Sequence, residues 1–329
     1  MTINSKASGQ VKTKSQDPAQ EAPVAQKGNA LSLPFMVNST VSVDRCADAT
    51  GFRTPSLRHR SLSVSHDQRV AETFLLNTRL CRHDHESEAG VQLYYTDTVT
   101  YMLANNGIET FDTTLIIPLP PPARLRLSLG DCLLRRRSRR LFTGDPVRLE
   151  GLSSLLFAAA GITGIGKAPV EQGEHTVDLF FRTTPSPGGL YGVDLYVVAL
   201  NISGLERGIY GYDPLRSRLA LLQGPDSVQA VLQAFAYPEE VISLSRACTL
   251  LIAIGRPWKV MRKYGSRGLR YLFIEVGQLA ENVHLACTAL GYGDVDIAGF
   301  YDDDLNEALG LDGLAQTVLH TIAVGIPAE

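Results

Sequence analysis

"VMRKYGSRGLRYLFIEVGQLAENVHLAC", residues 260–287, has the clearest periodicity in the chain. Leu272, Val276, Leu279, Val283, Ala286 and Leu290 recur at alternating steps of four and three. That is the period of a helix burying one stripe. Glu275, Gln278 and Asn282 recur at steps of three and four on a second face, and Gly291 supplies a stop. Ahead of the helix stand Lys263 and Tyr264, with Gly265 and Gly268. The stretch alone leaves two readings open. One is a core helix whose polar residues are satisfied locally; the other is a helix whose polar face serves a site.

Working outward, "LSLGDCLLRRRSRRLF" (127–142) reads as a helix running into a basic cluster, and "RLEGLSSLLFAAAG" (148–161) as a buried helix. "TVDLFFR" (176–182), "VDLYVVAL" (193–200), "RGIYGYD" (207–213), "RLALL" (218–222) and "CTLLIAIG" (248–255) read as strands. "DSVQAVLQAFA" and "DDLNEALGL" are helical, and "TIAVGI" closes the series as a strand. Helices and hairpin-like strand pairs interleave, so the expected class is α+β with an antiparallel-rich central sheet flanked by helices. Residues 1–30 almost lack bulky apolar side chains, so 1–35 is expected to be a disordered tail. Residues 36–125 are expected to form a small accessory module ending in the proline-rich connector "PLPPPARLRL" (118–127), and 126–329 the main domain.

The chain has 329 residues, 44% apolar, with 31 Lys plus Arg against 34 Asp plus Glu and a formal net charge of -3. That balance argues against a general nucleic-acid or membrane-surface binder. No apolar run spans a bilayer, and the start lacks a signal-peptide layout, so a cytoplasmic protein is expected. Five cysteines are scattered without CxxC spacing and read as reduced thiols. His83 and His85 in "RHDHESE" have no second ligand cluster, so no metal site is expected.

Two further stretches bear on chemistry. "RRRSRRLF" packs five arginines around Ser138, which suits either a solvated surface or a dianionic phosphate met by forked guanidinium donors. "RTTPSPGGLYGVDLY" (182–196) is either a plain hairpin loop or a turn, poor in side chains, that lets backbone approach a flat ligand. Neither a GxGxxG nor a Walker sequence occurs.

Taken together, Arg136-x-Ser138-x-Arg140, "PSPGGLY", "GIYGYDP", "KYGSRGLRYLFIEVGQLAENVHLACTALGYG" and "AGFYDDDLNEALGLDG" resemble the nitroreductase-like flavoprotein superfamily over about residues 120–325. Within it the match is to the SagB-type azoline dehydrogenases of thiazole/oxazole-modified peptide biosynthesis, and the Lys-Tyr block is the most specific part. The resemblance implies an FMN-binding α+β fold, a homodimer with flavin at the subunit interface, and a cyclodehydratase complex that supplies an azoline-containing precursor peptide. It implies cofactor contacts from Arg136, Arg137, Ser138, Arg140, Pro185, Ser186, Pro187, Gly188, Gln278, Asn282 and Gly299. Lys263 and Tyr264 take the place of the proton-abstracting pair. Burial or a nearby positive charge, with Arg262 and Arg267 close in sequence, would make such a lysine a usable base. Gln278 stands where the family often has histidine, and Gly192 where a proline often follows the tyrosine. Two other functions are open: an NAD(P)H-dependent nitroreductase or quinone reductase, and a catalytically silent docking scaffold.

Overall fold

A computed structural model describes residues 115–170 and 175–328, with 41–46, 56–61, 74–80, 82, 89–92, 111 and 113 ahead of them. The expected tail, the His83–His85 pair and most of the expected accessory module lie outside the described residues. The chain divides into two units, Met1–Val64 and Ser65–Glu329. In the first, β1 (Val41–Cys46) and β2 (Ser56–Ser61) form an antiparallel hairpin.

The second unit is built on a seven-stranded sheet in the order β12-β13-β11-β7-β9-β10-β3, antiparallel at every pairing. Its strands are β3 (Ile116–Pro118), β7 (Val193–Ala199), β9 (Gly208–Asp213), β10 (Arg218–Gln223), β11 (Thr249–Gly255), β12 (Gly293–Ile297) and β13 (Thr317–Gly325). The central strands β7, β9 and β11 are buried along their whole length because both faces of the sheet are covered. Leu195 and Val197 on β7, with Leu251 and Ala253 on β11, pack with helices α2 (Leu149–Ala160) and α5 (Gly268–Leu290). The alternate residues Tyr196, Val198, Leu250 and Ile252 pack with α3 (Val228–Gln233) and α6 (Asp302–Leu309).

In α5 the stripe forms as its spacing predicts: Leu272, Val276, Leu279, Val283 and Ala286 are all buried. Gly291 ends the helix in the left-handed region, φ 76°. The proline-rich stretch is fastened along α2, where Ser153 Oγ donates to the Pro120 carbonyl and Ala123 N donates to Ser154 Oγ at 2.9 Å. Several elements go beyond the sequence expectation, and three of them are longer than four residues within the second unit. They are the strand β5 (Ile162–Val170), paired with β6 (His175–Arg182) outside the main sheet, the edge strand β12, and α4 (Pro257–Tyr264). The remaining short elements are β4 (Val147–Arg148), parallel to β8 (Ile202–Ser203), and α1 (Leu129–Arg135).

Candidate active site

The loop from β6 to β7 carries the Pro-Gly turn, and α5 holds it in place. Thr184 Oγ1 donates to the Ala159 carbonyl at 2.6 Å and accepts from Asn282 Nδ2 at 3.0 Å. Ser186 Oγ donates to Glu275 at 2.5 Å and accepts from Tyr191 N at 2.8 Å. The second Glu275 oxygen accepts from Val193 N at 3.2 Å. Burial pushes the Glu275 carboxyl up, while the Ser186 hydrogen bond and the charge of Arg182 oppose that shift. Glu275 and Asn282 thus bind the turn, and Gln278 between them stays exposed. The polar face of the helix serves to hold a loop.

That loop is conformationally unusual. Gly188 and Gly189 have φ of 66° and 65°, and Tyr191 has φ 50°, uncommon for a residue with a Cβ. Tyr191 is clamped on three sides. The Arg182 guanidinium lies 4.6 Å from its ring centroid, Arg182 N donates to its hydroxyl at 3.0 Å, and Lys259 Nζ donates to its carbonyl at 3.1 Å. Gly192 has no room for a side chain, since a Cβ there would collide with Val260 and Leu272.

Helix α4 brings Lys263 and Tyr264 to this turn. Pro257 starts it, where a missing N–H costs nothing, and Gly265 ends it with φ 57°. Lys263 is 4% exposed. A Cβ added to Gly188 would come within 2.8 Å of Lys263 Nζ and 2.6 Å of Tyr264 Oη, so both tips meet the bare backbone of the turn. The Lys263 ammonium lies 5.2 Å from the Tyr264 ring centroid, and that ring stands edge-on to Tyr271 at 5.0 Å. Burial pushes Lys263 below the usual lysine value. The nearby arginines are not the cause. Arg262 is exposed, and Arg267 turns to Tyr271 Oη at 3.1 Å and the Thr78 carbonyl at 3.0 Å. Lys259, one helical turn earlier on the same face, was not signalled by any motif. It is pushed down to about 8 by burial first, then by Arg182 and Arg256, against Asp194 and Glu275. Its four-residue spacing from Lys263 was the available clue.

The arginine segment is built differently. After α1, Ser138 bridges to Asp294, Arg139 N donates to the Asp294 carbonyl at 2.8 Å, and Phe142 anchors the end in the core. Arg137, Ser138, Arg139 and Arg140 are exposed and Arg136 is half-buried. Arg137 Nη1 donates to the carbonyls of Leu134 and Arg136, at 3.1 and 2.7 Å. No carboxylate among the described residues is within ion-pairing distance of Arg136, Arg137, Arg139 or Arg140. Forked donors on a surface segment with no paired carboxylate suit a phosphate dianion.

Behind that segment is a charge network that runs from the buried His284 and Asp294 out to the exposed Asp296. His284 is hydrogen-bonded through Nδ1 to Asp294 and through Nε2 to Asp296 at 3.0 Å, and His320 Nε2 reaches Asp296 at 2.7 Å. Burial opposes protonation of His284, but the two carboxylates outweigh it and lift it to about 9. Glu275 and His284 are nine residues apart, about 180° around a helix of ~3.6 residues per turn. Glu275, which holds the turn, and His284, which holds the strand beside the arginine segment, therefore point to opposite sides of α5. Gly299, beyond β12, packs under the Tyr237 ring, and its carbonyl accepts from Ala236 N at 3.2 Å. Among the described residues no cluster of His, Cys, Asp or Glu could hold a metal, and no helix is long and apolar enough to cross a membrane.

Comparison with known proteins places this geometry among relatives. The sequence model of the nitroreductase family matches residues 133–326, well over half of the chain. A protein of Methanocaldococcus jannaschii described as a nitroreductase is 35% identical over 196 residues, which is 60% of this chain and 90% of that protein. A crystal structure from Ralstonia eutropha, also described as a nitroreductase, superposes with a TM-score of 0.52 at 24% identity. It covers 67% of this chain and 93% of that one, and shows the shared fold. A chain of the E. coli microcin synthetase McbBCD complex, with truncated pro-MccB17 bound, gives a TM-score of 0.48 at 17% identity. That match covers 79% of this chain and 93% of that one; at such distance it says nothing of activity.

Proposed function

Since the chain belongs to the nitroreductase family, whose members use FMN, we propose that it is an FMN-dependent azoline dehydrogenase. In this reading it oxidises thiazoline or oxazoline rings of a ribosomally made peptide to thiazoles or oxazoles. The observation that carries the proposal is Lys263, buried and pushed below the usual lysine value, whose Nζ meets the turn at Gly188 as Tyr264 Oη does. Azoline oxidation removes a proton from Cα and a hydride from Cβ. A lysine that is neutral part of the time can take the Cα proton, and the adjacent Tyr264 hydroxyl can orient the ring or share that proton. Bound FMN would supply the two-electron acceptor for the Cβ hydride.

Arg136, Arg137, Ser138 and Arg140 fit the phosphate end, because Arg137, Ser138 and Arg140 are exposed, Arg136 is half-buried, and none of the three arginines has a carboxylate within ion-pairing distance among the described residues. Pro185, Ser186, Pro187 and Gly188 fit the ring end, where two glycines at positive φ bring backbone to the surface. Gln278, exposed on α5, is the cofactor contact expected from that helix, whereas Asn282 is already bonded to Thr184. Gly299 needs no cofactor to explain its lack of a side chain, because Tyr237 occupies that space. With the two ends held from opposite sides of α5, an FMN that meets both takes them from two copies of the chain. A homodimer is therefore part of the proposal. A cyclodehydratase would supply the azoline precursor peptide.

The test is direct. Purified protein is incubated with an azoline peptide and followed by mass spectrometry, where each ring oxidised loses two hydrogens, roughly 2 Da by the stoichiometry of the reaction. Flavin reduction by NAD(P)H is followed in parallel. Rapid reduction by NAD(P)H, with no mass change in the peptide, would replace this reading with that of a nitroreductase or quinone reductase.

A further inference from the structure

Residues 74–80 and 89–92 converge on the elbow between α4 and α5, the piece of chain that carries Lys263 and Tyr264 at its start. Phe74–Asn77 form one helical turn, and Thr78 after it is 2% exposed. Thr78 Oγ1 donates to the Phe74 carbonyl at 2.5 Å and accepts from Arg270 Nε at 2.6 Å. Arg270 Nη2 donates to the Leu75 carbonyl at 2.8 Å, and Arg267 Nη1 to the Thr78 carbonyl at 3.0 Å. Ser266 Oγ donates to the Asn77 carbonyl at 2.6 Å. Phe74 also packs on Phe273 with ring centroids 6.3 Å apart, and the Arg270 guanidinium lies 6.0 Å from the Phe74 centroid. Residues 89–92 approach from Gly90, where a Cβ would come within 3.0 Å of the Lys263 carbonyl oxygen.

The pattern has a direction. In each of these bonds between segment and elbow the donor belongs to the elbow or the start of α5, and the acceptor to residues 75–78. Two of the donors are guanidinium groups, so their bonds are charge-assisted. The elbow needs such support. Gly265 has φ 57° with open space around it, and Ser266 is exposed. Its inner contact is the close approach of Gly268 to the backbone of Val260 and Met261.

We propose that Arg267 and Arg270 are positioning residues. By fastening residues 74–78 to the elbow and the start of α5 they fix the chain that directly follows Tyr264, and through it the place of Lys263 Nζ at Gly188. The proposal rests on the reading of Lys263 as the proton acceptor. An arginine that only tethered an N-terminal segment would affect stability and leave turnover alone.

The test uses the full chain with FMN and four proteins: wild type, Arg270→Ala, Thr78→Val and Thr78→Ser. Amide hydrogen exchange over residues 261–270 reads the elbow without reference to any activity. Arg270→Ala and Thr78→Val are expected to speed exchange there about ten-fold, the order of one lost charge-assisted hydrogen bond. They should lower kcat for azole formation about ten-fold through misplacement of the base, with KM and flavin content near wild type. Thr78→Ser keeps the hydroxyl and restores both measurements. Unchanged exchange overturns the proposal, as does faster exchange with an unaltered kcat, or Thr78→Ser behaving like Thr78→Val. If no variant and no wild-type protein oxidises an azoline, the proposed function falls. In that case a wild-type exchange rate in Arg270→Ala sinks the clamp too, whereas faster exchange in Arg270→Ala and Thr78→Val but not in Thr78→Ser keeps the clamp and removes only its role in placing a base.

Discussion

The two halves of the candidate site are built on opposite principles. Around the Pro-Gly turn nearly every polar group is committed within the chain: Ser186 to Glu275, Thr184 to Asn282, and Tyr191 to Arg182 and Lys259. The arginine segment leaves its guanidinium groups at the surface, secured mainly through backbone bonds to Asp294 and the buried Phe142. The contrast follows from what each half would handle. A proton acceptor must be desolvated to have a useful pKa, and the chain has to provide that dryness before any ligand arrives. A phosphate brings its own acceptors, so the donors waiting for it are best left uncommitted.

The largest expected effect breaks the buried half. Lys263→Ala should lower azole formation by ~10²–10⁴, the usual worth of a general base, with flavin content unchanged. In wild type kcat should rise with pH through a value below that of ordinary lysine, because burial lowers it. A wild-type rate in Lys263→Ala would remove the base assignment.

Next comes the exposed half. Arg136→Ala combined with Arg140→Ala should weaken FMN binding by about 10²-fold or more, since each charge-assisted bond is worth roughly 1.5–3 kcal/mol. The flavin-free variant should unfold close to flavin-free wild type, because exposed side chains such as Arg140 change stability by about 0.5 kcal/mol or less and Arg136 is only half-buried. Equilibrium dialysis and thermal melts separate the two. Full flavin retention after desalting would show that the segment is only a solvated surface.

A smaller change touches the point where the Lys-Tyr pair meets the turn. Gly188→Ala puts a methyl within 2.8 Å of Lys263 Nζ and 2.6 Å of Tyr264 Oη. Both are far ends of flexible side chains, so they move and the backbone does not. The left-handed φ of 66° costs roughly 1–2 kcal/mol with a Cβ present. Azole formation should fall about ten-fold, less than on losing the lysine, because the base is displaced and not removed. A melt and a rate measured on one preparation check this, and a lower Tm with full activity would detach Lys263 from the turn.

What could be read in the sequence was whatever a local period or an unbroken apolar run encodes. The stripe from Leu272 to Leu290 and the runs in β7 and β11 are of that kind, and their burial matches the pattern. The strand "GDVDI" escaped because Asp294 and Asp296 share one face, and two acids on a strand face argue against burial. Their partners His284 and His320 lie 10 to 24 residues away and satisfy them only once the fold is formed. Glu275 was legible as polar but not as a brace, since Ser186 and Val193 are 89 and 82 residues distant. The motifs named the residue types of the candidate site. That Glu275 holds the turn while His284, on the opposite side of α5, holds the strand beside the arginine segment came from the three-dimensional arrangement alone.

The His284 network behind the arginine segment should have the least influence on turnover, and its signature is a pH dependence of stability. His284 is lifted to about 9 from an ordinary 6.5, so the folded chain holds this proton more tightly than the unfolded one. Its stabilising contribution is complete below about pH 6.5 and disappears as pH rises through about 9. Asp296 is pushed the other way, since the bonds and charges of His284 and His320 outweigh the effect of burial, and its contribution is lost only in acid. Lys259, lowered to about 8, runs against His284: the unfolded chain binds its proton more tightly, so stability gains as pH climbs from about 8 toward the ordinary lysine value. The wild-type melting curve alone therefore mixes opposite slopes, and the informative quantity is a difference. Between pH 6.5 and 9 the Tm of wild type should fall relative to that of His284→Gln, which has no proton to lose. Parallel curves over that range would mean that His284 is neutral in the folded chain and that the carboxylates do not hold it charged.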